Sequence, residues 1–104
     1  MSEHELKIRK QACKCYINIQ IKKIKNNELI SEWNKGQLHA YELLLMVLDS
    51  KNADYSVNYA LNECELIRNN PYSKFNSGMY EAMRTYSTIS ISEVTLKYKT
   101  KRLQ

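Results

Sequence analysis

The segment 34–50 constrains the fold more than any other part of the chain. Five of its apolar side chains recur at the positions of one helical face: Leu38, Tyr41, Leu44, Leu45 and Leu48. Leu43, Met46 and Val47 make most of a second face apolar as well. A helix that is apolar on two sides is buried at the centre of a fold or lies in a subunit interface. We therefore predict a central helix, with Leu43, Met46 and Val47 as the candidate contact of a homodimer.

Glycine and proline are scarce, which favours regular elements joined by short connections. The 104 residues include two Gly and one Pro, and 43% of them are apolar. A chain of this length and composition is expected to form a single domain with its own core. We divide that domain into a basic N-terminal segment (1–33), a helical core (34–86) and a basic C-terminal segment (87–104).

The sequence of the second half of the helical core predicts two more helices, joined by a tight turn. The run Asn69-Asn70-Pro71-Tyr72 ends the first of them, because proline disfavours helix in the residue before it. Ser73 can cap the helix that follows, which reaches Tyr86. Gly78 in the middle of this helix costs about 1 kcal/mol relative to alanine. We therefore expect close packing or weak local order at that glycine.

Residues 88–100 favour a β-hairpin, with a helix as the alternative. The segment is rich in β-branched residues, and its apolar alternation changes phase once, near Ser92 and Glu93. A reversal there would make two strands. A helix from Ser90 competes, since Ser90 and Glu93 have the spacing of a capping box. With the hairpin, the predicted class is α+β and mostly α, with three to four helices.

The secondary structure of residues 14–25 is not decided by the sequence, which fits a strand or a helix. Apolar and polar side chains alternate strictly from Lys14 to Lys22, which indicates a strand. A continuous helix to Lys25 would instead place Leu6, Cys13, Ile17 and Ile24 on one stripe.

Positive charge is concentrated at the two ends of the chain. Residues 6–27 contain seven basic side chains and no acidic one, and the last eight residues add four more basic side chains. Residues 36–96 hold four basic and seven acidic side chains, so the net charge of +5 hides a mildly acidic centre. Charge segregated in this way is typical of a surface that meets a polyanion such as nucleic acid.

From Asp54 onward, the order of helix, turn, helix and hairpin resembles the winged helix-turn-helix DNA-binding proteins. The resemblance covers residues 54–102 and implies that the helix 73–86 enters the major groove while the hairpin lies along the DNA backbone. Residues of that helix predicted to face outward are Lys74, Ser77, Tyr80 and Arg84. The implied wing contacts are Thr95, Lys97, Lys99, Lys101 and Arg102. Glu81 departs from the pattern, because a carboxylate repels phosphates.

Two other interpretations remain open. If 14–22 is a strand followed by two helices, the chain resembles a ribbon-helix-helix protein, with Asn18, Gln20 and Lys22 as base-reading residues. Alternatively, Trp33 and the tyrosines and methionines supply an interface with a host, plasmid or phage protein, as in an inhibitor or adaptor. Lys, Asn, Ile and Tyr make up 39 of 104 residues. Their AT-rich codons suggest an AT-rich bacterium, or its phage or plasmid.

Catalysis, metal binding and membrane insertion find no support in the sequence. There is no glycine-rich phosphate loop, nucleophile motif or paired His/Cys ligand set, so we expect no cofactor and no enzymatic activity. The longest apolar run, Leu43–Leu48, is far shorter than a membrane span. Residues 1–5 lack a secretory pattern and the three cysteines form no framework, which predicts a cytoplasmic protein. The expected function is duplex DNA binding, as a regulator or transfer accessory of a plasmid or phage.

Overall fold

The computed structural model describes residues 1–69 and 73–102, except for the side chain of Arg102. These residues form five α-helices: α1 Glu3–Lys25, α2 Glu32–Ser50, α3 Ala53–Arg68, α4 Lys74–Ser87 and α5 Ile91–Arg102. No strand occurs in the part of the chain that the structure describes. The predicted α+β class and its C-terminal β-hairpin are therefore wrong. The turn predicted at Asn69–Tyr72 lies mostly outside the described residues.

Each helix begins after a residue whose short side chain accepts a hydrogen bond from a backbone N–H in the first turn. These capping residues are Ser2, Ser31, Asn52, Ser73 and Ser90. Such caps satisfy amide groups that a helix leaves without an internal partner. The cap predicted at Ser73 is confirmed. At Ser90, the bond from the Glu93 amide is 3.2 Å long, so the helix alternative for this segment is the correct one.

The helical spacing of the buried residues in α5 accounts for the pattern that had indicated two strands. Its buried or half-buried face consists of Ile91, Val94, Thr95 and Tyr98, which are spaced for a helix and pack on α1. The apparent change of phase between Ile91 and Val94 is one helical step of three residues. The Thr95 hydroxyl donates to the Ile91 carbonyl at 2.6 Å, so this β-branched residue satisfies its polar atom within the helix.

The helix α1 contains the whole segment that leaves helix and strand open in the sequence. It packs against α5 on one side and against α2 and α3 on the other. Its buried or partly buried apolar side chains therefore spread over a wide arc, which produces the alternation seen from Lys14 to Lys22. Because 14–22 is helical, the ribbon-helix-helix alternative loses the strand on which it depends.

The most extensive helix pair is α2 with α4, and glycine lies on both sides of their crossing. A Cβ atom on Gly36 would overlap the backbone carbonyl oxygen of Phe75, and one on Gly78 would overlap that of Trp33. These are the only two glycines in the chain. The close packing expected at Gly78 is therefore confirmed, and Gly36 is its counterpart on α2.

A buried hydroxyl pair joins α3 to α4 in the core. Ser56 and Tyr86 are both 0% exposed, and their oxygens lie 2.7 Å apart. The Ser56 hydroxyl donates to the Ala53 carbonyl at 2.6 Å, so the Tyr86 hydroxyl is the donor toward Ser56. Burial raises the pKa of Tyr86 far above its usual range. The pair keeps two buried polar atoms satisfied and fixes the position of the largest core side chain.

The central helix predicted over 34–50 is confirmed as α2, with Leu44 and Leu48 fully buried. Two of the residues proposed for the dimer contact, Leu43 and Val47, are half-buried, whereas Met46 is 66% exposed. No helix in the described part of the chain has the length and apolar content that crossing a membrane requires.

Candidate nucleic-acid interface

The fold brings the two basic ends of the sequence together. The helices α1 and α5 pack side by side, although some 70 residues separate them along the chain. An ion pair of 3.3 Å between Lys99 and Glu5 links them. The fold therefore places the basic residues of both chain ends on neighbouring helices.

The outer face of α1 carries a row of polar side chains that we call the basic stripe. Its members are Lys7, Gln11, Lys14, Asn18, Lys22 and Lys25. They follow one another at steps of three or four residues, the spacing of a single helical face. All are exposed except Lys14, which is half-buried. The stripe contains no acidic residue and runs for about 27 Å along the helix.

Two basic residues of α1 form ion pairs with neighbouring helices, whereas the other lysines of the basic stripe form none in the described part of the chain. Lys14 contacts Asp49 of α2 at 2.6 Å, and Arg9 contacts Asp54 of α3 at 3.1 Å. Seven other lysines of α1 and α5 have no carboxylate within 4.0 Å among the described residues: Lys7, Lys10, Lys22, Lys23, Lys25, Lys97 and Lys101. Three of them, Lys7, Lys22 and Lys25, belong to the basic stripe and can approach a polyanion without breaking an ion pair.

An apolar groove of 520 Å³ lies between α1 and α5, next to the basic stripe. From α1 it is lined by Ala12, Cys15, Tyr16 and Ile19. From α5 it is lined by Val94, Leu96, Lys97, Tyr98, Thr100 and Lys101. No acidic side chain belongs to this lining among the described residues. We refer to it as the α1–α5 groove.

Tyr98 lies between the basic stripe and the α1–α5 groove. It lines that groove and also two shallower hollows on α1, one beside Lys7 and Gln11 and the other beside Asn18 and Lys22. Its ring is half-buried. The stripe and the groove are therefore neighbouring parts of a single face, with an aromatic side chain at their boundary.

The structure distributes the predicted wing residues over different sides of α5. Lys97 and Lys101 are four residues apart and lie together at the α1–α5 groove. Lys99 is paired with Glu5, and Thr95 is 4% exposed and packed toward α1. The side chain of Arg102 lies outside the described residues. A strand would have aligned residues 95, 97, 99 and 101, and the helix instead separates them because its period is 3.6.

The residues predicted on the recognition helix lie in α4, which packs against α2 and α3. Lys74, Ser77 and Arg84 are exposed, and Tyr80 is half-buried. Ser77 and Tyr80 line a small hollow of 190 Å³ with Ile67 and Arg68. The structure therefore groups them with α3, apart from the basic stripe of α1.

The cysteines and histidines form no metal-binding group in the described part of the chain. Cys13, Cys15 and Cys64 are free thiols, and no group of three His, Cys, Asp or Glu side chains there is arranged to hold a metal ion. Burial raises the pKa of Cys13 and of Cys64, which keeps these thiols protonated and poorly nucleophilic.

The basic stripe was not predicted from the sequence, although the spacing of its residues indicates it. Lys7, Gln11, Lys14, Asn18, Lys22 and Lys25 have helical spacing and include no acid. Their alignment becomes visible only when 14–25 is helical. The α1–α5 groove had no comparable signal, because its two walls come from opposite ends of the chain.

Comparison with known proteins gives no match: no family model, curated protein or solved structure is similar to this chain.

Proposed function

We propose that this protein binds duplex DNA through the basic stripe of α1, assisted by Lys97 and Lys101 of α5. The observation that carries the proposal is the packing of the two basic chain ends side by side. Seven lysines of α1 and α5 have no acidic partner among the described residues, and five of them lie on the basic stripe or at the α1–α5 groove. Lysines spaced along a helix neutralise phosphates and release counterions, which supplies most of the affinity of a DNA-binding surface.

The shape of α1 suits the major groove of duplex DNA, which admits one α-helix. Between the lysines of the stripe, Gln11 and Asn18 are exposed. Their seven-residue separation is about 10 Å along the helix axis, close to the rise of three base pairs. Glutamine and asparagine can each pair with the edge of adenine. We therefore assign phosphate contacts to the lysines and base contacts to the two amides.

The biological role follows from the same proposal. A small protein rich in Lys, Asn, Ile and Tyr, residues whose codons are AT-rich, fits a regulator or a DNA-transfer accessory of a plasmid or phage if it binds DNA. Homodimerisation through α2 belongs to this proposal, with the exposed Met46 at the centre of the contact. A dimer would present two basic stripes to neighbouring sites on the duplex.

Fluorescence anisotropy with duplex DNA, titrated from low to moderate salt, tests the proposal. The wild-type protein should show a strong salt dependence, and the triple variant Lys7→Gln, Lys22→Gln, Lys25→Gln should reduce the magnitude of the log–log slope by about three. The matched control is Lys35→Gln, Lys51→Gln, Arg68→Gln, which removes the same charge from positions outside α1 and α5. Circular dichroism of each variant checks that the helices are intact.

The outcomes separate three cases. Loss of affinity in the α1 variant with an unchanged control supports the proposal. Equal losses in the two triple variants would show that only net charge matters. If a double variant, Lys74→Gln with Arg84→Gln, weakens binding more than the α1 variant does, the contact lies on α4 and the assignment to α1 is rejected.

A further inference from the structure

The α1–α5 groove is too large and too apolar to serve only as the boundary between two helices. Its volume of 520 Å³ falls within the range of sites for small organic ligands, about 300–1,000 Å³. Two packed helices normally interdigitate their side chains and leave few voids larger than a water molecule. Here the side chain of Leu96, beside the groove, is left 65% exposed.

The side chains that line the groove indicate what kind of ligand it can bind. Ala12, Ile19, Val94 and Leu96 offer only hydrocarbon, and the rings of Tyr16 and Tyr98 add to the apolar wall. A sugar or another strongly polar ligand would lose its hydration on such a wall without gaining enough hydrogen bonds. The body of a matching ligand is therefore an aliphatic chain.

The charged side chains at the groove indicate the head group that a ligand would carry. Lys97 and Lys101 belong to the lining, and neither has a carboxylate partner among the described residues. They are exposed, so their charged groups stay in water while their stems can cover the apolar wall. Lys22 lies in the hollow that shares Cys15, Ile19 and Tyr98 with the groove. Every charge at this site is thus positive.

We infer that the α1–α5 groove binds an anionic amphiphile, a long-chain carboxylate whose chain packs between the helices and whose head group meets Lys97 and Lys101. The inference does not depend on DNA binding, since it uses the apolar walls of the groove and requires no contact with nucleic acid. The occupant that we assign is a free fatty acid. An anionic lipid within a bilayer offers a similar chain with a phosphate head group, and the vesicle experiment below separates the two.

Isothermal titration calorimetry with dodecanoate, below its micelle concentration, tests the inference. Dodecanoate should bind at a single site, whereas hexanoate and the cation dodecyltrimethylammonium should bind far more weakly. The variant Lys97→Gln, Lys101→Gln should weaken dodecanoate binding about tenfold. The control Lys35→Gln, Lys51→Gln has the same net charge and should bind as the wild type does.

Filling the groove provides the second arm of the test. Ile19→Trp should abolish dodecanoate binding by occupying the apolar space while leaving every lysine in place. If that variant fails to fold, Thr100→Trp fills the groove from an exposed position of α5. Retained affinity in a folded groove-filling variant would overturn the inference, because the ligand would then bind elsewhere.

Sedimentation with phosphatidylglycerol vesicles distinguishes the two sources of the ligand. Binding of free dodecanoate without sedimentation supports a soluble fatty acid as the ligand. Sedimentation together with dodecanoate binding supports a lipid chain drawn from the bilayer. Sedimentation without any dodecanoate binding would reject a ligand site in the groove and indicate a membrane-facing surface instead.

Discussion

Two helix pairs of this protein, α2–α4 and α1–α5, pack in opposite ways. Where α2 crosses α4, glycines on both helices let the backbones touch, and no side chain larger than hydrogen fits at either position. Where α1 meets α5, larger side chains line an open groove of 520 Å³. The first pair holds the fold together, and the second leaves apolar and cationic groups accessible. On our proposals, recognition belongs to α1 and α5, whereas the tightest backbone contact belongs to α2 and α4.

The composition of the two pairs explains the difference. Ala40 and Ala82 are each one helical turn beyond a crossing glycine and are 0% exposed, so small residues continue along both helices. On α5, Lys97 and Lys101 stand where a tightly packed helix would place apolar residues. Charged groups remain in water, so α5 cannot close fully over α1.

The largest expected effect comes from alanine at the glycine crossing. Gly36→Ala and Gly78→Ala should each lower the free energy of unfolding by about 3 kcal/mol, because the added methyl group would overlap a backbone carbonyl. In an ordinary helix the same change is stabilising by up to about 1 kcal/mol. Urea unfolding followed by circular dichroism measures the difference, with the exposed Ser77→Ala as control. Stabilisation by either glycine variant would contradict a tight crossing.

A smaller effect is expected from alkaline pH, through Tyr41 in the tightly packed region. This residue is 3% exposed, and burial, followed by the charges of Tyr16 and Glu81, raises its pKa from 10.0 to about 12. As pH rises through 10, the unfolded chain loses the Tyr41 proton first, so the unfolded state gains stability relative to the folded one. The resulting loss is about 2 kcal/mol by pH 12.

Other buried tyrosines contribute to the alkaline loss, so Tyr41→Phe is the reference for this measurement. The free energy of unfolding should fall less steeply between pH 10 and about 12 in the variant than in the wild type. Parallel curves for the two proteins would show that Tyr41 ionises as freely in the folded state as in the unfolded chain.

The smallest effect is expected at the groove. Leu96→Ala should change the free energy of unfolding by less than about 0.5 kcal/mol, because Leu96 is 65% exposed. Leu44→Ala on α2, where the side chain is fully buried, should cost about 2–5 kcal/mol. Thermal and urea unfolding of the pair measures the contrast. A large loss at Leu96 would mean that the groove is closed in solution and that the two helix pairs are equally tight.

The sequence predicted the elements whose signals are local. The helix over 34–50 was readable because its apolar positions repeat over about three turns, from Leu38 to Leu48. The cap at Ser73 was readable because a short polar side chain preceded a helical pattern. The hairpin was wrong for a physical reason. The β-branched residues of 88–100 have only a weak preference for strands, and packing on α1 outweighs it.

The site was only partly predictable. The concentration of lysine at both ends predicted a basic surface that includes Lys97 and Lys101, and its role in binding stays a prediction. Their grouping was wrong because a strand period of two was applied to a helix, which misplaced Thr95 and Lys99. Predicting the basic stripe required knowing that residues 14–25 are helical. Predicting the groove required knowing that two segments far apart in the chain are in contact.

The sequence by itself determined the central helix over 34–50 and the cap at Ser73, because capping and amphipathic periodicity act between residues a few positions apart. It also determined the clustering of positive charge at both ends of the chain. Only the tertiary structure decided that these ends meet, that the two glycines face each other across α2 and α4, and that α1 and α5 leave a groove. Those features depend on contacts between distant segments, and such contacts are chosen by the packing of the whole core.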